Sequence, residues 1–339
     1  MGIMNNLLEL IFKTSSFTDT IFFKENSDLQ ERYNALIKLQ SEYSDNELLN
    51  EELYIIKRGL DGENEIYYQL KKSHIGMYVL RDIKLKYKEL TAQIDYVIIT
   101  PIFTYYIECK NLIGNITINE KGDFIRELNV NGKKIKKGMY SPLRQVEAQR
   151  EVVRKIWKED KKGIIRILGL KNFDYYRKVL VVAANHETII NTSKAPKEIK
   201  NKVLRADNLV RQIEYDLKNV SKDEMIDSQK TMEKQAQYYL ELSCKDELDY
   251  YEYYKNKYNL NINNIVNKNE IKDNLITFRK EKSKEMNVPA YFIFNNSELE
   301  KIIEEMPKTV KELKESKILS DIKLNIHGKS IIDIINNKK

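Results

Sequence analysis

Cysteine, histidine, proline and glycine are all scarce in this chain. Two cysteines, Cys109 and Cys244, and three histidines, His74, His186 and His327, among 339 residues leave no disulfide framework and no Cys-rich zinc site. A reducing, cytoplasmic setting is expected. Five prolines and 11 glycines exclude collagen-like or linker-like material. Long hydrophobic runs are missing too. The one apolar stretch near the start, Ile3 to Phe12, is broken by Asn5, Asn6 and Glu9, so neither a spanning helix nor a signal peptide is expected. Gly328-Lys329-Ser330 imitates the end of a phosphate-binding loop, but position 323, where the first glycine belongs, is Lys. No ATPase motor is therefore visible. His186-Glu187 is followed by Ile190 where a zinc protease needs its second His. Serine and cysteine nucleophile arrangements are absent.

What is present is a well-patterned chain. Hydrophobic residues are 42% and aromatics 10%, enough to build packed cores. Lys and Arg number 58 against 51 Asp and Glu, a net charge of +7, and the excess is uneven. Residues 110–178 hold 18 basic and 8 acidic side chains, more surplus than the whole chain carries. Such a local field suits a polyanion such as nucleic acid, although a solvated Lys-rich face has the same composition. The Lys, Asn and Ile load suggests a bacterial source.

The periodicity divides the chain. Residues 1–47 read as a helical extension. Residues 48–220 alternate helix and strand patterns: a helix over Gly59 to Lys72, then strands over Tyr78–Ile83, Gln93–Thr100, Thr104–Lys110 and Lys178–Ala184. Asn131-Gly132 predicts a tight hairpin turn. Ser141 followed by Pro142 predicts an N-cap and first helical position, with the helix reaching Trp157. Residues 221–270 read as a helical connector. Residues 271–337 read as an all-helical module, with capping-box spacing at Ser297–Glu300 and Thr309–Glu312 and a closing helix over Ser330–Ile335. The fold class is thus an α/β core, a central mixed sheet flanked by helices, plus a small all-α bundle.

The chemistry concentrates in residues 93–110. A hairpin turning between Pro101 and Ile102 sets Asp95 opposite Glu108, and Lys110, two residues on, shares their face. Two carboxylates and an ammonium inside apolar strands are costly without compensation, which a divalent cation provides. A cross-strand salt bridge on an exposed sheet face satisfies the same spacing. Glu63 sits at the mouth of a helical stripe formed with Ile66, Tyr67 and Leu70. Gln145 lies on the first full turn of the Pro142 helix, aligned with Gln149, Val152 and Ile156.

Gly59-x-x-Gly62-Glu63, Gln93-Ile94-Asp95, Ile107-Glu108-Cys109-Lys110-Asn111 with Gly114, and Ser141-Pro142-x-x-Gln145 follow one another in order. This set resembles the nuclease-related domain, a branch of the PD-(D/E)XK restriction-endonuclease-like superfamily, over about residues 48–215. The resemblance implies hydrolysis of nucleic-acid phosphodiesters with Mg2+ or Mn2+. By position Asp95, Glu108 and Glu63 would be metal ligands, Lys110 the catalytic lysine and Gln145 the motif glutamine. Cys109 stands where a small or β-branched residue is commoner.

Leu275-x-x-Phe278-Arg279, Val288-Pro289-Ala290-Tyr291-x-x-Phe294, Met306-Pro307-x-Thr309 and His327-Gly328-Lys329 resemble the helicase-and-RNase-D C-terminal domain. That resemblance implies nucleic-acid binding, or protein binding as in some members. Phe278, Tyr291 and Phe294 are expected in its core. Phosphate contacts are expected from Lys133, Lys134, Lys136 and Lys137 of the hairpin and from Lys280, Lys282, Lys284 and Lys329 of the tail. From Glu270 onward 14 basic face 12 acidic residues, so the tail's own affinity should be modest.

The expected function is a metal-dependent nuclease, acting on DNA sooner than RNA, in DNA processing, repair or anti-phage defence. The alternative is a catalytically inactive DNA-binding adaptor on the same fold. A homo-oligomer or an activating protein partner fits either. No membrane partner is expected.

Overall fold

The computed structural model describes residues 17–44, 46–161, 169–221, 224–244, 248–260 and 263–336. The apolar run Ile3 to Phe12 lies outside them. The chain forms two compact units. One runs up to Lys38 and resumes over Glu47–Tyr251; the other joins Leu39–Asn46 to the residues from Glu252 onward.

The first unit is built on a six-stranded mixed sheet in the order β1-β2-β3-β4-β8-β10. Its strands are β1 (Thr20–Lys24), β2 (Met77–Tyr87), β3 (Leu90–Ile99), β4 (Thr104–Lys110), β8 (Arg177–Ala183) and β10 (Val203–Arg205). A smaller sheet holds β5 (Asn115–Ile118), β6 (Phe124–Val130), β7 (Lys133–Met139) and β9 (Ile190–Asn191) in the order β7-β6-β5-β9. The helices are α1 (Asp28–Glu42), α2 (Glu47–Lys71), α3 (Pro142–Asp160), α4 (Leu209–Lys218) and α5 (Gln229–Leu242). Helices α2 and α4 cover one face of the large sheet, with Ile66, Leu70, Leu209 and Ile213 in its core. Helices α3 and α5 cover the other, with Val146, Val153, Met232 and Tyr239.

The N-terminal extension is not all helical. Thr20–Lys24 is rich in β-branched and aromatic residues, runs parallel to β2, and packs Phe22 on Tyr67 with ring centroids 4.3 Å apart. Helix α2 starts twelve residues before the expected Gly59, because Leu49, Leu53 and Ile56 continue its buried stripe. Ser141 caps α3 as predicted, its side chain accepting from the Arg144 amide. Asn131 and Gly132 both have positive φ, 50° and 77°, the conformation of a tight primed hairpin turn.

The β3–β4 register is the predicted one, from Ile99 opposite Thr104 to Tyr96 opposite Ile107, but the ladder stops there. Asp95 does not continue it, for a reason visible one strand away. In β2 the α3-facing residues are Tyr78 and Leu80, then Ile83 and Leu85; in β3 they are Ala92 and Ile94, then Val97 and Ile99. Both strands therefore carry one extra residue, Asp82 and Asp95, which oppose each other and are skipped by the pairing. Asp82 has a φ of 50°, a left-handed conformation that Asp tolerates better than most residues. This paired irregularity frees Asp95 from the sheet.

Helix α2 is pinned against the end of β4. The Asn111 side chain donates to the Arg58 carbonyl at 2.6 Å. A Cβ on Gly62 would lie 2.7 Å from Asn111 Cβ and 3.3 Å from Cys109 Sγ. Gly62 thus sets the distance at which Glu63 meets the sheet. Ala gains about 1 kcal/mol in a helix over Gly, whereas overpacking costs about 1–3 kcal/mol. Gly62→Ala should therefore lower the melting temperature by a few degrees, at about 2–4 °C per kcal/mol. An unchanged or raised melting temperature in calorimetry would mean that the helix does not need this close approach.

The second unit contains α6 (Tyr250–Lys257) from Glu252 onward, α7 (Asn263–Glu285), α8 (Asn296–Glu305), α9 (Val310–Glu315) and α10 (Asp321–Ile335). Leu275, Phe294, Leu299, Ile302, Leu313 and Ile331 form its core. The capping box of α8 is Asn295 with Glu298, two residues before the expected Ser297. Helix α10 is longer than the expected Ser330–Ile335 because Ser320 caps it and Leu324 extends its buried face. Phe294 is fully buried and Phe278 packs on the core, edge-on to the buried His327. Tyr291 is not a core residue. It sits in a single 3-10 turn, Ala290–Phe292, that faces Ile293 inward and leaves Tyr291 61% and Phe292 56% exposed.

Candidate active site

Glu108 and Lys110 lie at the end of β4 on the face covered by α3. Glu108 is 2% exposed. Lys110 Nζ donates to Glu108 Oε1 at 2.5 Å and to Gln145 Oε1 at 3.3 Å. Gln149, one turn further along α3, donates from Nε2 to Glu108 Oε2 at 3.2 Å and to the Gln93 carbonyl at 2.6 Å. Both oxygens of Glu108 are thereby held, one by Lys110 and one by Gln149.

Asp95 reaches the same place by another route. Its Oδ2 accepts from the Cys109 amide at 2.7 Å, replacing the ladder contact that the irregular strand gave up. Burial raises the Asp95 carboxyl well above the usual carboxylate range, and the charges of Glu108 and Glu63 push the same way. The Cys109 amide and the Lys110 ammonium offset part of this. Cys109 itself faces α2, away from Glu108, as its place in the strand predicts.

Glu63 arrives from α2 but is committed elsewhere. Its Oε2 is bonded to Arg81 at 3.1 Å, and both side chains are buried. The Arg81 guanidinium also lies over the Tyr96 ring at 5.5 Å, and the Tyr96 hydroxyl donates to the Glu63 carbonyl at 2.7 Å. Burial raises the Glu63 carboxyl while Arg81 holds it down. Asp82, next to Arg81, accepts from the Asp28 amide at 2.8 Å and from Gln93 Nε2 at 2.7 Å. Arg81, Asp82, Gln93 and Gln149 are thus structural parts of the site that residue types alone did not single out. For Gln149 a signal existed in its alignment with Gln145. For Asp82 none did, since its backbone conformation decides its role.

Glu63, Asp95, Gln145 and Gln149 line one cleft of about 670 Å³, with Arg32 from α1, Lys155 from α3 and Tyr140 at the end of β7. Tyr140 is 73% exposed. The β6–β7 hairpin leads into it, and Lys133, Lys134, Lys136 and Lys137 are all exposed there. They do not form one surface. Lys133 and Lys137 share a face with Arg126, Leu128 and Ile135, while Lys134 and Lys136 are on the reverse, with Lys136 paired to Glu127 at 2.8 Å. In the second unit Lys280, Lys284 and Lys329 are exposed, whereas Lys282 is paired to Glu285 at 2.6 Å.

These residues fit a hard divalent cation. Asp95 and Glu108 supply carboxylate oxygens, Mg2+ commonly takes one or two of them, and their crowding in a buried place calls for positive charge. Gln149 Oε1 adds a buried acceptor with no hydrogen-bond partner. Among the described residues no three His, Cys, Asp or Glu side chains gather as a metal site, and Glu63 is paired to Arg81.

A family model for a nuclease-related domain matches residues 58–183, and one for an HRDC domain matches residues 269–335. The chain carries a nuclease-related domain followed by an HRDC domain. The order and the places are those expected from the motifs. The nuclease-related match spans α2 from Arg58 onward and all of β2 to β8, and thus Glu63, Asp95, Glu108, Lys110, Gln145 and Gln149. The HRDC domain is of a type associated with nucleic-acid binding. No curated protein and no solved structure matched the chain. Among the described residues no helix is long and apolar enough to cross a membrane.

The raised Asp95 carboxyl has a consequence for stability. At acid pH Asp95 is protonated in both the folded and the unfolded chain and contributes nothing. As pH rises the unfolded carboxyl ionises first, so stability is lost until the raised folded value is passed. Asp95→Asn should therefore raise the melting temperature near neutral pH in the presence of a chelator. The gain should fade toward about pH 3, below the ordinary carboxylate range. Equal melting curves for both proteins across that range would show that the carboxylate is not strained.

Proposed function

We propose that the first unit is a divalent-cation-dependent nuclease that hydrolyses phosphodiester bonds in nucleic acid, with DNA as its substrate. The observation that carries this reading is the fixed group Asp95, Glu108 and Lys110 beside a cleft that Asp95, Gln145 and Gln149 line, with both oxygens of Glu108 and the Lys110 ammonium held in place. A surface salt bridge would need none of that restraint. Asp95 and Glu108 would hold Mg2+ or Mn2+. When bound, such a cation supplies Lewis-acid polarisation of the phosphoryl group and lowers the pKa of water.

The chain's own residues do the rest. Lys110 has three N–H donors, of which Glu108 and Gln145 take two. The third is directed to a phosphate oxygen, where it stabilises charge that builds as the water attacks. Gln145 keeps Lys110 turned toward the cleft. Glu63 acts from behind: held by Arg81, it adds negative charge near Asp95 and sharpens the site's preference for a cation. Tyr140, exposed at the cleft, offers a ring on which a base can stack. The hairpin lysines contact backbone phosphates, and the HRDC domain adds a second nucleic-acid contact through Lys280, Lys284 and Lys329 with the exposed pair Tyr291 and Phe292.

Purified protein should cut DNA with Mg2+ or Mn2+ and stop in chelator. Asp95→Ala and Lys110→Ala should each lower single-turnover cleavage by at least about 10²-fold, in the range of removing one preorganised electrostatic contact. Nucleic-acid binding in chelator should be kept. Cleavage by both variants at the wild-type rate would remove the assignment, and a folded wild type inert on every DNA and RNA tested would favour an adaptor.

Binding should also weaken with salt. Each phosphate contact adds about 0.9 to the slope of log affinity against log salt. Replacing Lys133, Lys134, Lys136 and Lys137 together by Ala should flatten that slope by about 2, since each face of the hairpin carries only two of the four. An unchanged slope would put the phosphate-binding surface elsewhere.

A further inference from the structure

Gln149 is 7% exposed and stands among the apolar Val146, Val152, Val153 and Ile156 on the buried face of α3. Its amide orientation is forced. Nε2 meets two acceptors, Glu108 Oε2 and the Gln93 carbonyl, and the opposite orientation would set oxygen against both. Oε1 then has no hydrogen-bond partner. A buried acceptor left unpaired costs about 1–3 kcal/mol, and folded proteins contain few. The partner of this oxygen therefore comes from outside the chain, and it is a donor or a cation.

The neighbours decide between them. Gln149 lines the cleft beside Asp95 and is bonded to Glu108, the two carboxylates that await a counter-charge. The third acidic residue of the cleft wall near them, Glu63, is held by Arg81. A hard cation takes neutral carbonyl oxygen as well as carboxylate. We infer that Gln149 completes the cation site, its Nε2 fixing Glu108 and its Oε1 serving as the third, uncharged protein oxygen directed at the ion. This rests on the nuclease reading above and assigns the two glutamines of α3 different tasks: Gln145 positions Lys110, and Gln149 positions Glu108 and faces the cation. A neutral ligand is suited to this place, because a third carboxylate would add repulsion to Asp95 and Glu108 whenever the ion is away.

The test is titration of the full-length protein with Mn2+, read from the electron paramagnetic resonance signal of the free ion, for wild type, Asp95→Ala, Gln149→Met and Gln149→Glu. Gln149→Met removes the unpaired oxygen at nearly the same volume. It also removes the Nε2 donors to Glu108 and to the Gln93 carbonyl, so it should lower the melting temperature in chelator, and it should weaken Mn2+ binding by about tenfold or more, the usual scale for groups supporting a metal ligand. Its kcat should fall with KM little changed. Gln149→Glu restores an oxygen with charge. It should melt lower than wild type in chelator and bind Mn2+ at least as tightly as wild type. A merely structural glutamine would not make the two variants, both less stable than wild type, differ in Mn2+ affinity. Wild-type Mn2+ affinity in Gln149→Met, or equally weakened affinity in Gln149→Glu, overturns the inference. If Asp95→Ala alone loses the ion, the nuclease reading stands and only the role of Gln149 falls. If wild type binds no Mn2+, both fall together.

Discussion

Asp95 and Glu108 are two like charges held close together at the edge of an apolar sheet. Burial raises the Asp95 carboxyl well above the usual carboxylate range, and the charge of Glu108 pushes the same way. The surroundings answer this strain piece by piece. Lys110 and Gln149 take the oxygens of Glu108, the Cys109 amide takes Asp95, and Gln145 takes Lys110. Every one of these contacts holds the carboxylates in place, but only Lys110 brings positive charge. The restraint leaves the carboxylates fixed and short of positive charge, the condition on which the proposed cation site rests.

The geometry depends on a local break in regular structure. Had β3 stayed in register, Asp95 would have remained a ladder residue facing its partner. The extra residues Asp82 and Asp95 shift the facing of both strands and release the Asp95 side chain toward β4. Asp82 repays its unusual backbone by capping α1 and holding Gln93, whose carbonyl in turn anchors Gln149. Strand β1 and helix α1 precede the matched residues 58–183, yet Leu29 and Arg32 of α1 line the cleft. The unit that builds the cleft is thus larger than the family match.

Much of this was legible in the sequence, for identifiable reasons. The β3–β4 register followed from a short turn and strict alternation. Ser141-Pro142 announced α3, and Asn131-Gly132 announced the β6–β7 turn. Convergence of Asp95, Glu108 and Lys110 followed from that register even though Asp95 left the ladder. The rest was hidden in context. Nothing in Arg81-Asp82-Ile83 marks a left-handed residue. Thr20–Lys24 is too short and too polar in its flanks to stand out as a strand. Tyr291 and Phe294 fall in the same aromatic run, and only the 3-10 turn at Ala290–Phe292 decides which of them is inside. Gln149 shares the spacing of Gln145 and of the apolar face of α3, and nothing in that spacing marks its bond to Glu108.

The proposed role of the Asp95 and Glu108 carboxylates is to hold a divalent cation. Diffraction from crystals of the protein soaked in Mn2+, recorded at a wavelength where manganese scatters anomalously, tests it directly. A single strong anomalous peak is expected in bonding contact with both Asp95 and Glu108, lost in Asp95→Asn crystals treated in the same way. A peak only at surface carboxylates, or none at all with both side chains still in their metal-free contacts, would contradict it.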